Sequence, residues 1–217
     1  MPILLYRPSS SIFTSCWGGQ ILIKGKVFFG MIKLGIKHEP SCITNFGVNI
    51  KNRGSLIFHG PLIIGNGCSL VCERDSVLEF GKNCGITGRF NVHCAENIFL
   101  GDCVSVSWNV NIFDTDFHQT SNPITKKHNN MTSPIRIGHN SWICQDVTIL
   151  KRSSIPDYCT VSTKSLVNKP LLADKFCVIG GIPAKVLNDV YILREDINSN
   201  LAKNNWFITK GLFPFYE

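Results

Sequence analysis

The sequence lacks a long apolar segment and a dense cluster of basic residues. No stretch reaches the ~18 apolar residues that a membrane-spanning helix requires, and MPILLYRPSSSIF at the N-terminus lacks the regions of a secretory leader. Lys and Arg are not interleaved with aromatic residues in a basic run, which disfavours nucleic-acid binding. We therefore expect a cytoplasmic protein with no membrane span and no nucleic-acid partner.

Metal-ligand spacings are missing as well. The chain has 10 cysteines, but no C-x-x-C occurs and the closest pair is Cys68 and Cys72. This spacing argues against a zinc ribbon, and 217 residues with 44% hydrophobic content are too many and too apolar for a small secreted disulfide scaffold. We predict reduced cysteines that serve as small interior residues, and no metal.

Charge is sparse and slightly basic. Charged residues make up 17% of the chain, with 22 Lys and Arg against 15 Asp and Glu, for a net charge of +7. A low charge content fits a folded, sheet-rich domain. The basic excess either favours anionic ligands or serves ordinary solubility.

An aliphatic residue recurs at every sixth position over much of the chain. A spacing of six fits neither the helical period of 3.6 nor the strand period of 2. It is typical of short strands that meet at corners, with three hexads in each triangular coil and each coil buried by the next. Glycines such as Gly101 and Gly138 then mark tight corners. The longest run of period-six aliphatics is Ile137, Ile143, Ile149, Ile155, Val161 and Val167.

The repeat divides the chain into three parts. We predict coils over residues 21–187, an N-terminal cap over residues 1–20, and a C-terminal helix and aromatic tail over residues 188–217, with Asn188 or Asp189 as the helix N-cap. A polar stretch between Ile112 and Ile137 interrupts the period and predicts a protruding loop over residues 116–134. Long loops in compact repeat proteins are often functional.

Several segments together resemble a known family. The hexads, SWNVNIFDTDFH, RIGHNSWICQDVTIL and GGIPAKV are similar to the hexapeptide-repeat acyltransferases, above all to the sugar O-acetyltransferases of bacterial capsule and lipopolysaccharide synthesis. The resemblance implies an all-β fold, a left-handed parallel β-helix. It also implies a homotrimer, a groove shared between adjacent subunits, and transfer of an acetyl group from acetyl-CoA to a carbohydrate hydroxyl.

His118 stands where this family has its catalytic histidine. An imidazole with a pKa of about 6.5 can remove the hydroxyl proton as the C–O bond forms. We predict that Asp116 orients the ring, as in hydrolase triads; a turn-forming aspartate or an orienting backbone carbonyl are the alternatives. Asp114 lies on the same side of an extended segment and is predicted, with Asn91, to bind the acceptor. Asn91 matches the galactoside acetyltransferases only loosely, and a left-handed corner asparagine is the alternative.

The resemblance also implies a binding site for acetyl-CoA. Trp142 stands where related enzymes place a tryptophan beside the thioester arm, although core packing is the alternative. Cys144 replaces a glycine common in the family and is predicted to be a small interior residue, not a nucleophile. The remaining residues predicted to contact the cofactor are Gly181, Pro183, Ala184, Lys185 and Lys164.

Other functions remain possible for such a sequence. Zinc carbonic anhydrases share this β-helix but need histidines five residues apart, and no two of the six histidines here have that spacing. A non-catalytic scaffold subunit stays open, as does acetyl transfer to an antibiotic or a nucleotide sugar.

Overall fold

Short parallel strands stack into three sheets around a three-sided core. The structure, a computed structural model, describes residues 1–6, 8–14, 18–37, 40 and 44–192. Each turn of the chain adds one strand to each sheet in order. We number the sheets I, II and III in the order in which the chain visits them, and name each corner by the two sheets that it joins.

Sheet I has nine strands in the stacking order β1 (Ile3–Leu5), β4 (Ile32–Ile36), β7 (Leu62–Gly65), β10 (Cys84–Ile86), β13 (Ser105–Val106), β16 (Trp142–Ile143), β19 (Thr160–Val161), β21 (Cys177–Gly181) and β22 (Ala184–Tyr191). Sheet II has seven, β2 (Ile12–Thr14), β5 (Val48–Asn52), β8 (Cys68–Cys72), β11 (Asn91–Cys94), β14 (Asn111–Phe113), β17 (Thr148–Leu150) and β20 (Leu166–Val167). Sheet III has six, β3 (Gln20–Ile23), β6 (Ser55–Phe58), β9 (Val77–Phe80), β12 (Asn97–Leu100), β15 (Ile135–Ile137) and β18 (Ser154–Ile155). A short 3₁₀ turn covers Pro8–Ser10.

The period-six residues form the core, as predicted. The six aliphatics from Ile137 to Val167 are each at most 1% exposed, and their burial drives the stacking of one coil on the next. Trp142 lies opposite Thr160, and Thr160 opposite Val178, so a coil there takes three hexads. Six of the eight described cysteines are buried, which matches their predicted interior role: Cys68, Cys72, Cys84, Cys94, Cys159 and Cys177.

Glycine is needed at some corners because the backbone of the next coil lies too close to leave room for a Cβ atom. A Cβ on Gly101 would lie 2.7 Å from the His139 nitrogen, and one on Gly138 would lie 2.4 Å from the Asp157 nitrogen. Left-handed backbone is instead adopted by other residues, such as Asn140 with φ 57 and Tyr158 with φ 61 at the III/I corner. Positive φ costs free energy for a bulky residue like tyrosine, so the stacking of the coils imposes it.

Both ends differ in detail from the predicted boundaries. β1 and β2 pair in parallel with β4 and β5, so a first coil begins within residues 1–20. β22 runs antiparallel to β21 through Tyr191, so the prediction of a helix N-cap at Asn188 or Asp189 is wrong. The rest of the predicted helix and tail lies outside the described residues. Among the described residues, no helix combines the length and the apolar character that crossing a bilayer demands.

Candidate active site

A polar excursion leaves the II/III corner between β14 and β15, where the sequence predicts the loop. An antiparallel bridge between Thr115 and Thr132 closes its base, and a second bridge joins Ser121 to His128 further out. Residues 116–131 are all exposed. The excursion is therefore a narrow flap that stands outside the core and presents its side chains to solvent.

Asp114 holds the first residue position of this excursion and is fully buried. Its Oδ1 accepts the N–H of Ala95 at 2.7 Å, and its Oδ2 accepts the N–H groups of Glu96 and Asn97, each at 2.9 Å. Burial raises the pKa of the Asp114 carboxyl, although these three hydrogen bonds oppose the shift. The prediction that Asp114 binds the acceptor is corrected: its carboxylate ties the loop base to the preceding coil.

Asp116 lies at the base of the flap beside a basic residue of the next coil. Its Oδ2 is 2.5 Å from the Nζ of Lys151, and its backbone N–H donates to the Met131 carbonyl at 2.9 Å. A cavity of about 310 Å³ opens next to this pair, lined by Asp116, Lys151, Arg152 and three further residues. The sequence predicts that the Asp116 carboxylate contacts the His118 imidazole. In the structure this carboxylate pairs with Lys151 instead.

His118 follows a residue that is fixed against sheet II. Phe117 has a φ of 61, and its N–H donates to the Thr115 hydroxyl at 3.0 Å. The Phe117 ring packs edge-on against His93 at 4.8 Å and against Phe113 at 5.7 Å between centroids. The backbone thus reverses at Phe117, and the His118 side chain stands exposed directly after an anchored aromatic ring.

The outer face of sheet II carries polar side chains beside this anchor. Asn91 is exposed on β11, and its Nδ2 donates to the Oδ1 of Asn111 on β14 at 3.0 Å. It is therefore a strand residue, not a left-handed corner asparagine. His93 lies two residues further on the same face, 3.6 Å from Glu73. Burial lowers the pKa of His93 and outweighs the nearby Glu73 carboxylate.

Trp142 lies on a different part of the molecule, the outer face of sheet I. Its side chain is half-buried, and the indole Nε1–H donates to the Ser107 hydroxyl on the preceding coil at 3.3 Å. Cys144 follows two residues later and is also partly buried. Trp142 is therefore not a core residue, because its side chain remains partly exposed.

The residues of GIPAK form the turn from β21 to β22 near the I/II corner. Gly181 has a φ of 102 and its N–H donates to the Ser165 hydroxyl at 3.3 Å. Pro183 and Lys185 are exposed. Ala184 is 1% exposed and packs into the core, so its side chain does not line a ligand surface.

Lys164 completes this second group of residues. It has a φ of 59 and its side chain is exposed one residue before Ser165. The structure thus gathers the predicted residues into two groups. Asn91, Asp116 and His118 lie on sheet II and the II/III corner, whereas Trp142, Lys164 and GIPAK lie on sheet I and the I/II corner. Within one chain the two groups therefore lie on different sheets and different corners.

Sequence reasoning missed two contributors to the first group. Phe117 and Lys151 gave no motif signal, since an aromatic residue and a lysine have many roles. The strand register would have identified Lys151 as the residue that follows Leu150, which lies opposite Phe113 at the loop base. Within the described part of the chain, no three His, Cys, Asp or Glu side chains are grouped as metal ligands.

Comparison with known proteins identifies the fold. No protein-family model matches the sequence, and no curated protein matches it. Among solved structures, the polySia specific acetyltransferase NeuO is 20% identical with a TM-score of 0.61, over 78% of this chain and 73% of that one. A hexapeptide-repeat acetyltransferase of Vibrio cholerae O1 biovar eltor, complexed with acetyl coenzyme A, is 18% identical with a TM-score of 0.47, over 63% of this chain and 72% of that one.

A third solved structure, the polysialic acid O-acetyltransferase OatWY, is 17% identical with a TM-score of 0.45, over 93% of this chain and 95% of that one. The likeness to NeuO and the three parallel sheets confirm the predicted fold, a left-handed parallel β-helix.

Proposed function

We propose that this chain is an O-acetyltransferase that moves the acetyl group of acetyl-CoA directly to a sugar hydroxyl of a bacterial surface glycan or its precursor. One observation carries the proposal. His118 stands exposed on a flap, immediately after the anchored Phe117 ring, on a fold shared with the polySia specific acetyltransferase NeuO. An exposed imidazole directly after an anchored ring suits a general base for an incoming hydroxyl.

In this reaction His118 accepts the proton of the acceptor hydroxyl while its oxygen attacks the thioester carbonyl. The new C–O bond forms, the C–S bond breaks, and the imidazolium returns its proton to the departing CoA thiolate. General-base assistance of this kind contributes about 10²–10⁴-fold. Asp116 acts through Lys151, which fixes the base of the flap, so it positions the histidine's loop and does not orient the ring itself. Asn91 is the proposed polar contact for the acceptor.

The second group of residues is proposed to hold acetyl-CoA. Trp142 offers a partly exposed indole face for the apolar pantetheine arm. Lys164 and Lys185 are exposed cations that suit phosphate groups, and the exposed turn at Gly181 and Pro183 presents backbone to a ligand.

We infer that a neighbouring subunit completes the groove. His118 and Trp142 lie on different edges of the triangle formed by one chain, and a homotrimer would set one edge against another. The reaction is assigned to the cytoplasm because acetyl-CoA is the donor. Light scattering on the purified protein tests the trimer, which predicts three times the mass of 24.2 kDa.

The deciding experiment follows free thiol release from acetyl-CoA in the presence of surface glycans and nucleotide sugars. We expect His118→Ala to lower the turnover by at least ~10²-fold while CoA binding is retained. His128→Ala is the matched control, because His128 is an exposed histidine of the same flap whose Nδ1 lies 2.8 Å from the Ser121 hydroxyl. Equal turnover in the wild type and His118→Ala would refute the assignment.

A further inference from the structure

A groove of about 560 Å³ runs along the outer face of sheet III next to the base of the flap. Phe99 and Pro170 give it apolar walls, while Asn97 and Ser154 contribute an amide and a hydroxyl. Two arginines, Arg136 and Arg152, line the same groove. None of these side chains has a part in the proposed acetyl transfer.

Arg136 is exposed on β15, and the strand register places it between Phe99 and Ser154. Its guanidinium lies 4.7 Å above the centre of the Phe99 ring. Stacking on an aromatic face holds the planar group while its N–H edges remain available. Arg136 is therefore an exposed cation that stacks on an aromatic ring.

Arg152 stands at the II/III corner of the next coil, with a φ of 69 and an exposed side chain. Its backbone N–H faces the Ser133 carbonyl at 3.4 Å, which keeps this corner against the returning strand of the flap. Arg152 also lines the smaller cavity beside Asp116 and Lys151. Arg152 thus borders both cavities.

Within the described part of the chain, no carboxylate lies in ion-pair distance of Arg136 or Arg152, whereas the neighbouring Lys151 pairs with Asp116. Two guanidinium groups facing one open groove make a strong local site for anions with planar, two-oxygen geometry. The apolar walls and the neutral amide and hydroxyl fit the ring and hydroxyl groups of a sugar.

We propose that this groove binds a carboxylate-bearing glycan chain, with Arg136 and Arg152 each pairing with a carboxylate. This inference rests on the proposed function and names its acceptor class as an acidic polysaccharide. Because Arg152 borders both the groove and the cavity beside Asp116, a chain laid along the groove would pass close to the base of the flap that carries His118. The arginines hold the polymer, and the flap acts on one of its hydroxyls.

Guanidinium groups also bind phosphate, so acetyl-CoA is the competing ligand. The two are separated by measuring each directly. Fluorescence anisotropy of labelled fragments reports glycan binding, with polysialic acid, polygalacturonate and hyaluronan as probes and their carboxyl-reduced forms as neutral counterparts. Calorimetry with CoA reports cofactor binding to the same preparations.

We expect at least one acidic probe to bind the wild type at least ~10-fold more tightly than its carboxyl-reduced form. The single variants Arg136→Gln and Arg152→Gln should each weaken that binding by about 10-fold, and the double variant by about 100-fold, because each removes a charge-assisted pair. CoA affinity should be unchanged. Arg89→Gln is the matched control, since Arg89 is also an exposed corner arginine, with a φ of 47, but stands at the I/II corner.

The outcomes separate the site from the catalytic function. If all three acidic probes bind no better than their reduced forms, or the double variant binds them like the wild type, the groove proposal is overturned. It is also overturned if the double variant loses CoA affinity instead. Glycan binding that depends on both arginines, without any thiol release, would support the groove and count against the proposed transferase activity.

Discussion

Two neighbouring coils build the II/III corner in very different ways. β11 passes to β12 through Ala95 and Glu96 alone, whereas residues 114–134 separate β14 from β15. The register is nevertheless continuous on both sides, with Phe113 opposite His93 and Ile135 opposite Ile98. The flap is therefore inserted into a coil whose stacking does not require it. The coils supply the buried core, whereas the flap carries the proposed catalytic residue His118.

The largest effect is expected when the long corner is converted into the short one. Replacing residues 115–133 with Ala-Glu, the pair that forms the preceding corner, should abolish acetyl transfer because His118 and its anchor are removed. The circular dichroism spectrum and a cooperative thermal transition should persist, since the core residues are untouched. A variant that fails to fold would show that the coils depend on the flap, contrary to the comparison.

Asp114 links the two corners, so its removal should cost the most stability. Asp114→Ala leaves the N–H groups of residues 95–97 without their acceptors, and we expect the free energy of unfolding in urea to fall by about 3 kcal/mol or more. Asp116→Ala is the control, because its ion pair with Lys151 is partly exposed and should be worth less than about 1 kcal/mol. Equal losses would contradict the structural role of Asp114.

The Phe117 anchor is expected to act on turnover more than on stability. Phe117→Ala should lower kcat by roughly 10-fold with little change in the KM for acetyl-CoA, because a loosened flap misplaces His118. Phe117→Tyr retains a ring for His93 and Phe113 and should restore most of the rate. Ile124→Ala, at a flap residue that is 88% exposed, should leave kcat unchanged. A similar fall in kcat for Ile124→Ala and Phe117→Ala would contradict a specific role of the Phe117 ring.

The smallest expected effect is on the pH dependence of stability, and it concerns His93. This residue lies on β11, the strand that leads into the short corner. Burial lowers the pKa of His93 in the folded chain, so the unfolded chain takes up this proton at a higher pH. The free energy of unfolding should therefore decrease as the pH falls below about 6.5, and His93→Gln should flatten that slope. Urea titrations at several pH values measure it, and an identical slope in the variant would contradict this assignment.

The hexads predicted the coils because a buried triangular interior needs an aliphatic residue at each inward position, and the residues from Ile137 to Val167 fill those positions. The handedness of the helix, by contrast, came only with the family resemblance. The predicted helix start at Asn188 is wrong because the chain stays in β22 to Tyr191, which pairs with Cys177, and this pairing outweighs a weak local preference. Pairing between strands of this kind cannot be predicted from the local residue preferences of a short segment.

The site could be predicted only where a single segment carries it. His118 follows from its motif. Asp114 was placed wrongly because alternation applies to an extended strand, whereas Asp114 lies just past the end of β14 and is buried at the corner. Arg136 and Arg152 are far apart in sequence and become neighbours only through the register of β15 on β18. A cluster made by stacking is visible only once that register is known.

The antiparallel β22 has a consequence for self-association. A spiral whose strands all run one way can be extended by any further strand of the same direction, including one from another molecule. Here the reversal after Gly181 lays β22 along the last parallel strand of sheet I. A strand from another copy that ran in the direction of the coils would meet β22 in the antiparallel sense at that edge, so sheet I cannot be continued there as a purely parallel sheet.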